Sequence, residues 1–235
     1  METWTLKQVQ GDELDSDQRL RFPMILVIDT ATAACSAALI EGDRLVDERH
    51  ELVGRGHAER LVPMIEALLG GRRPDSILVD CGPGSFTGLR VGLAAAHGLA
   101  IGWGVPIAGY SSTAAVAAAA AAGGEIAVAL EGGHGQLFVQ TFSEDPMRPL
   151  DTLRSLPPAQ AAAATGAFRV AGSGAAALVA ERGRGEAIAA LPTAADARLL
   201  PAALRSLPPR PIYGRDPDAK PVLSDVAGGV EGPMP

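Results

Sequence analysis

The chain has 235 residues, room for one large domain or two smaller lobes, and its 47% hydrophobic but only 4% aromatic content indicates a core of small aliphatic side chains. Its formal net charge of −7 argues against unaided, nonspecific binding to nucleic acid, which depends on Lys and Arg neutralising phosphates. No run of about 18 strongly apolar residues and no apolar N-terminal segment occurs, so we expect a cytoplasmic protein with neither membrane span nor signal peptide.

Residues 1–23 are polar and end at Pro23, just before the first convincing strand. Their composition predicts a disordered N-terminal extension. We divide the remainder into a first lobe at 24–123, a second lobe at 124–221 and a flexible tail at 222–235. Cys35 and Cys81 lack the spacing of a metal or redox motif, so we expect both to be buried free thiols.

From Met24 to Tyr110 the hydrophobic pattern predicts three strands joined by tight turns, followed by helix, strand, helix and strand. This βββαβα order favours an α/β lobe with a mixed sheet and helices covering its faces. The predicted elements are strands at 25–29, 36–40, 44–50, 76–79 and 107–110, and helices at 57–69 and 86–101.

The second half repeats this pattern more weakly. Strands are predicted at 126–130, 136–142 and 168–171, with a helix after Gly174 and a connecting helix at 112–122 between the halves. Two similar halves indicate duplicated βββαβα units. After Pro208 the proline-rich run cannot form a helix or a central strand, so we expect an extended surface segment there.

The densest motif is Gly82-Pro-Gly-Ser-Phe-Thr-Gly-Leu-Arg90, which follows a strand and opens a helix. One interpretation is an anion site, because the helix N-terminus offers free N–H groups. The other is purely structural: Gly88, Gly92 and Ala96 recur every four residues and permit close approach of a neighbouring element. The spacing alone favours the second interpretation.

This motif, the opening Ile25-Leu-Val-Ile-Asp-Thr-Ala-Thr32, the helix with His57, Glu59 and Pro63, and the late run from Pro211 to Lys220 together resemble the TsaB (YeaZ) family. The resemblance covers nearly all of residues 24–110, is loose in the second half and is absent from the first 23 residues. It implies a two-lobed actin-like (ASKHA, ribonuclease H-like) fold. It also implies a non-catalytic scaffold subunit that binds and activates TsaD for threonylcarbamoyladenosine formation in tRNA.

The resemblance implies a set of partners and an inherited phosphate site. We expect a heterodimer with TsaD, TsaE in the same complex, a possible homodimer when isolated, and contact with tRNA only through the complex. ATP is expected to serve the complex, with no cofactor or metal on this subunit alone. The vestigial phosphate-binding residues would be Asp29, Thr30, Gly82, Gly84 and Ser85.

The predicted helices 57–69 and 86–101 each carry a stripe of apolar residues, which is a candidate surface for binding a partner. Either both stripes are core, or one face is left for TsaD, which the resemblance favours. The candidate partner-binding residues are His57, Leu61, Met64, Ile65, Leu68, Leu89, Arg90 and Leu93.

The competing hypothesis is an enzyme, either a stand-alone actin-like ATPase or a glycopeptidase. The sequence contains no GxSxG, P-loop or HExxH motif and no two histidines four residues apart. The second hairpin reads Glu131-Gly132-Gly133, where the family often has Asp and a polar residue. These differences favour the scaffold, with no catalytic residues.

Overall fold

The computed structural model describes residues 22–214, so most of the 1–23 extension, the 222–235 tail and residues 215–221 lie outside it. The strands are β1 Met24–Asp29, β2 Ala34–Glu41, β3 Arg44–Leu52, β4 Ser76–Asp80, β5 Ile107–Tyr110, β6 Glu125–Glu131, β7 Leu137–Glu144, β8 Met147–Pro149, β9 Arg154–Leu156, β10 Arg169–Ala171 and β11 Glu186–Ile188. The helices are α1 His57–Leu69, α2 Phe86–Trp103, α3 Ser112–Ala119, α4 Pro158–Ala164 and α5 Ala175–Arg182.

The first sheet has the strand order β3-β2-β1-β4-β5. β1 pairs antiparallel with β2 and parallel with β4, and β4 pairs parallel with β5. The second sheet has the order β11-β10-β6-β7-β8, with β9 also pairing with β7. β6 again has one antiparallel and one parallel neighbour, β7 and β10. The duplicated, two-lobed α/β architecture predicted from the sequence is therefore confirmed.

The first sheet has a hydrophobic core on each of its two faces. Successive side chains of β1 point to opposite faces, as the two-residue period of a strand requires. Leu26 and Ile28 pack with α1 and α2, while Val27 faces the opposite way. The second sheet likewise packs one face against α4 and α5. The helices therefore cover the outer faces of the two sheets.

The inner faces of the two sheets share one core. α3 lies between them, with Ala114 to Ala117 buried together with Val27 and Val128, and a short 3-10 helix, Ala194–Leu199, joins the same cluster. Alanine side chains are small enough to let a helix fit between two sheets. α3 ends at Ala119 rather than at the predicted 122. The lobe boundary at 123/124 stays a prediction.

The segment after residue 206 is non-helical, as predicted, but it is tied to the first sheet. Gly109 donates its N–H to the Leu207 carbonyl at 2.7 Å, and the Leu207 N–H returns a bond of 3.0 Å. Further on, the Ile212 N–H donates to the Cys81 carbonyl at 2.7 Å. The chain therefore follows β5 to the end of β4, and residues 207–214 are partly or fully exposed along this path.

No helix within residues 22–214 is long and apolar enough to cross a membrane.

Helix α2 offers a matched pair of glycine substitutions. A Cβ at Gly92 would overlap the Thr30 hydroxyl, whereas a Cβ at exposed Gly98 meets nothing within 4 Å. We expect Gly92→Ala to lower the free energy of unfolding by ~1–3 kcal/mol through overpacking. Gly98→Ala should raise it by up to ~1 kcal/mol through helix propensity. Urea denaturation measures both, and a stabilised Gly92→Ala protein would contradict the packing of α2.

Candidate functional site

The Gly-Pro-Gly turn connects the end of β4 to the start of α2. Ser85 is the N-cap of α2, and its hydroxyl accepts a hydrogen bond of 3.2 Å from the Gly88 N–H. A polar side chain at this position satisfies one of the unpaired amides of the first turn. The predicted strand–turn–helix context of the motif is thus present.

The turn packs directly on the loop that follows β1. The Ser85 N–H donates to the Ala31 carbonyl at 2.7 Å, and the Thr30 hydroxyl donates to the Gly88 carbonyl at 2.8 Å. A Cβ at Gly84 or Gly88 would overlap the backbone of Ala31 or Thr30. These glycines are therefore required for close approach, the alternative that the spacing favoured.

The five predicted phosphate-binding residues come together, but four of them form hydrogen bonds with neighbouring residues such as Ala31, Asp80 and Gly88. Asp29 and Thr30 are each only 1% exposed, and Gly82 is buried. The Gly82 N–H donates to Asp80 at 2.7 Å. Gly84 and Ser85 alone among the five line a cavity. The phosphate role stays a prediction, and the amides of Gly82 and Ser85 are already engaged.

Two buried carboxyl groups lie beneath the turn. Asp29 ends β1 and Asp80 ends the neighbouring β4, and each is 1% exposed. Burial, reinforced by the charge of Asp80, raises the pKa of Asp29 well above its usual value. Burial likewise raises the pKa of Asp80 to about 7. Sequence reasoning missed Asp80, because a single Asp at a strand end resembles an ordinary turn residue.

A central cleft of ≈ 940 Å³ lies between the two halves. One wall is formed by residues 31–33, the turn at 83–86 and Arg90, and the other by residues 130–133, Phe138 and Ser173, with 212–214 also in the lining. The Arg90 guanidinium lies 3.6 Å above the centre of the Phe86 ring, and the Phe86 and Tyr213 rings are 5.5 Å apart. Arg90 therefore belongs to the cleft as well as to helix α2.

The predicted partner-binding stripe is mostly core, which corrects the expectation of an exposed apolar face. Leu61 and Leu68 are fully buried, Leu89 is 1% exposed, and Ile65, Leu93 and Met64 are buried with them. The reason is that the side of each helix richest in large apolar residues covers the sheet. Of the eight candidates, Arg90 alone is exposed.

His57 is also buried inside the protein and is not available to a partner. It is the first residue of α1 and is 5% exposed, and its Nε2 lies 2.9 Å from the Thr32 carbonyl oxygen. This contact ties the start of α1 to the loop after β1. Within residues 22–214, no three His, Cys, Asp or Glu side chains lie close enough to hold a metal ion.

Both cysteines are buried free thiols, as predicted. Burial raises the pKa of Cys35 to about 11 and that of Cys81 to about 12. Neutral, inaccessible thiols are poor nucleophiles, so the two residues serve packing.

Alongside charged and polar residues, the solvent-facing sides of α1 and α2 carry small and medium-sized apolar residues. Val62 is 53% and Ile101 82% exposed, and Pro63, Ala94 and Gly98 are also exposed. The two helices contact each other on the same face of the sheet, so their exposed sides are neighbours. The exposure of these residues could have been predicted from the sequence, because they lie in α1 and α2 at positions between those of the large apolar stripe that is buried.

Comparison with known proteins gives consistent matches. A family model described as "TsaD: tRNA N6-adenosine threonylcarbamoyltransferase" matches residues 50–166. An uncharacterized protein of Mycobacterium tuberculosis is 32% identical over 219 residues, 87% of this chain and 97% of that protein. The Escherichia coli tRNA threonylcarbamoyladenosine biosynthesis protein TsaB is 44% identical over 93 residues, 37% of this chain and 40% of that protein. The structure of YeaZ from Pseudomonas aeruginosa has a TM-score of 0.69 and 28% identity, covering 82% of this chain and all of that one.

Substitutions at two adjacent residues of α1, Leu61 and Val62, test which side of the helix is buried. Leu61→Glu places an unpaired carboxylate in the core and removes its packing, so we expect it to cost at least ~3 kcal/mol of unfolding free energy. Val62→Glu changes an exposed side chain and should shift stability by no more than ~0.5 kcal/mol. Circular dichroism during thermal denaturation compares the two variants. Equal stability would contradict the orientation of α1.

Proposed function

The chain belongs to the TsaB (YeaZ) family, and on that premise we propose that it is a non-catalytic subunit that binds TsaD and promotes N6-threonylcarbamoyladenosine formation in tRNA. Three relatives named as tRNA threonylcarbamoyladenosine biosynthesis protein TsaB support the role in this pathway.

The observation that carries the proposal is the exposed surface of α1 and α2, which we call the helical face and define by Val62, Pro63, Ala94, Gly98 and Ile101. Exposed apolar residues on two neighbouring helices are typical of protein contact surfaces. Small residues such as Ala94 and Gly98 let a partner's backbone approach closely. We therefore propose that TsaD binds the same two helices as predicted from the sequence, but through their exposed residues instead of the buried stripe.

Charged and polar residues are exposed on the same two helices as the helical face. Glu59 and Glu66 are exposed on α1, and Arg90 and His97 are exposed on α2. An apolar centre surrounded by polar side chains is the usual composition of a non-obligate interface. The charges would fix the orientation of TsaD more than they add to its affinity.

The engaged backbone of the Gly-Pro-Gly turn favours a scaffold over an ATPase. An actin-like ATPase needs free donors beside the loop after β1 to hold phosphate, but the Ser85 and Gly88 amides are already bonded to Ala31 and to the Ser85 hydroxyl. We therefore assign the use of ATP to other subunits of the complex. With a net charge of −7, this chain would reach tRNA through its partner.

Substitutions on matched helices test the proposal. Ala94 on α2 and Ala177 on α5 are both exposed and lie on corresponding helices of the two halves. Ala94→Glu would bury an unpaired carboxylate against TsaD, so we expect at least a ~30-fold loss of affinity, equivalent to ~2 kcal/mol. Ala177→Glu should bind as the wild type does. Isothermal titration calorimetry with purified TsaD measures both.

Unfolding curves of both variants provide the control, since each must stay folded. Wild-type affinity in Ala94→Glu, or ATP hydrolysis by the purified wild-type chain, would contradict the proposal. Loss of binding in the Ala177→Glu variant would instead move the interface to the second half.

A further inference from the structure

Two buried aspartates, Asp29 and Asp80, lie side by side under the Gly-Pro-Gly turn. β1 and β4 run parallel with Ile28 opposite Val79, so Asp29 and Asp80 are the next residues on adjacent strands. Their carboxyl groups are close enough for each to shift the pKa of the other. Two carboxylates cannot both carry a charge at this separation in a buried site without a large cost.

The hydrogen bonds of Asp80 are those of an ionised carboxylate. Its Oδ1 accepts from the Gly82 N–H at 2.7 Å, and the Ser112 hydroxyl lies 2.8 Å from both of its oxygens. Ser112 is the first residue of α3, the helix between the two sheets. Asp80 therefore links the turn to α3.

The hydrogen bonds of Asp29 are incomplete. Its Oδ1 accepts from the Ala31 N–H at 2.9 Å, but its Oδ2 is buried without a partner within the described chain. A proton on Oδ2 would make this atom a donor to Asp80 and would remove the deficit. Asp29 Oδ2 is therefore the atom on which we expect the proton.

Within residues 22–214, the titratable groups that act most strongly on the pair are acidic. Cys81 follows β4, Tyr110 ends β5 beside Asp80, and Asp196 belongs to the 3-10 helix 194–199; all three are acids. The Tyr110 hydroxyl is also buried, and no residue from 22 to 214 forms a hydrogen bond with it. Arg198 and His50 act on Asp196.

We propose that Asp29 and Asp80 share one proton at neutral pH, carried on Asp29 Oδ2, and that this proton holds together the loop 30–33, the turn 81–85 and the start of α3. Loop and turn form one wall of the central cleft. Loss of the proton places two negative charges side by side and loosens that wall. The pair is therefore a pH-sensitive latch.

The direction of the pH dependence follows from the raised pKa values. A carboxyl group with a higher pKa in the folded protein binds its proton more tightly there than in the unfolded chain. The stability that the proton confers is complete below the ordinary aspartate pKa of 3.8 and is lost as pH rises through the folded pKa of Asp29, which burial raises well above that value. The protein should thus become less stable from mildly acidic to alkaline pH.

Asparagine at either position tests the latch. Asp29→Asn keeps the acceptor for the Ala31 N–H and supplies a permanent N–H donor to Asp80, so it imitates the protonated state. Asp80→Asn removes an oxygen that accepts from Ser112. Glu181→Gln, an exposed change on α5, is the matched control.

The measurement is the unfolding equilibrium of each protein between about pH 5 and about pH 9. Wild type and control should lose up to ~10-fold in folding constant per pH unit above about pH 7, where Asp29 still binds its proton more tightly in the folded protein. Asp29→Asn should lack this dependence there, because the pKa of Asp80 is about 7, and it should exceed the wild type at the alkaline end. Asp80→Asn should be less stable than Asp29→Asn throughout.

A wild-type pH slope in Asp29→Asn would overturn the proposal, as would stabilisation of the wild type at alkaline pH by added magnesium, since the site would then hold a cation. If Asp29→Asn does not fold, infrared spectroscopy of the wild type decides. A protonated carboxylic acid band that disappears as pH rises supports the latch, and its absence at neutral pH refutes it.

Discussion

The close approach of α2 to the loop after β1 is the constraint on which the rest of the site depends. Gly84, Gly88 and Gly92 leave no room for a Cβ against Ala31 and Thr30. This packing engages the Ser85 amide with the Ala31 carbonyl and fixes which side of α2 covers the sheet. The opposite side of α2, including Ala94 and Gly98, is exposed as a consequence.

The same arrangement connects the site with the centre of the protein. Asp80 bonds to Ser112 at the start of α3, and the neighbouring Thr113 donates to Gln140 of β7 at 2.7 Å. The first half is therefore joined to the second by hydrogen bonds as well as by the shared apolar core. This connection is compatible with the scaffold role that we propose for the chain.

Much of the fold could be predicted because its long elements carry clear periodicity and its turns are rich in glycine. The three-residue strands β8, β9 and β11 were missed, since a period cannot be recognised in so few residues. α4 was missed because Pro158–Ala164 is short and almost entirely alanine. At the site, the close packing of Gly88 and Gly92 was correctly predicted, but the exposure of the apolar stripes on α1 and α2 was not. Leu61 and Ile65 form the stronger stripe, and the stronger stripe covers the sheet. Asp80 gave no signal, because its significance depends on Asp29, 51 positions away in the sequence and adjacent only across two paired strands.

The central claim is that TsaD binds the helical face. Hydrogen–deuterium exchange of the chain, alone and with TsaD from the same organism, tests this most directly because it requires no substitution. The account predicts slower exchange in α1 and α2 on binding, with little change in α4 and α5. Protection confined to α4 and α5, with α1 and α2 unaffected, would contradict it.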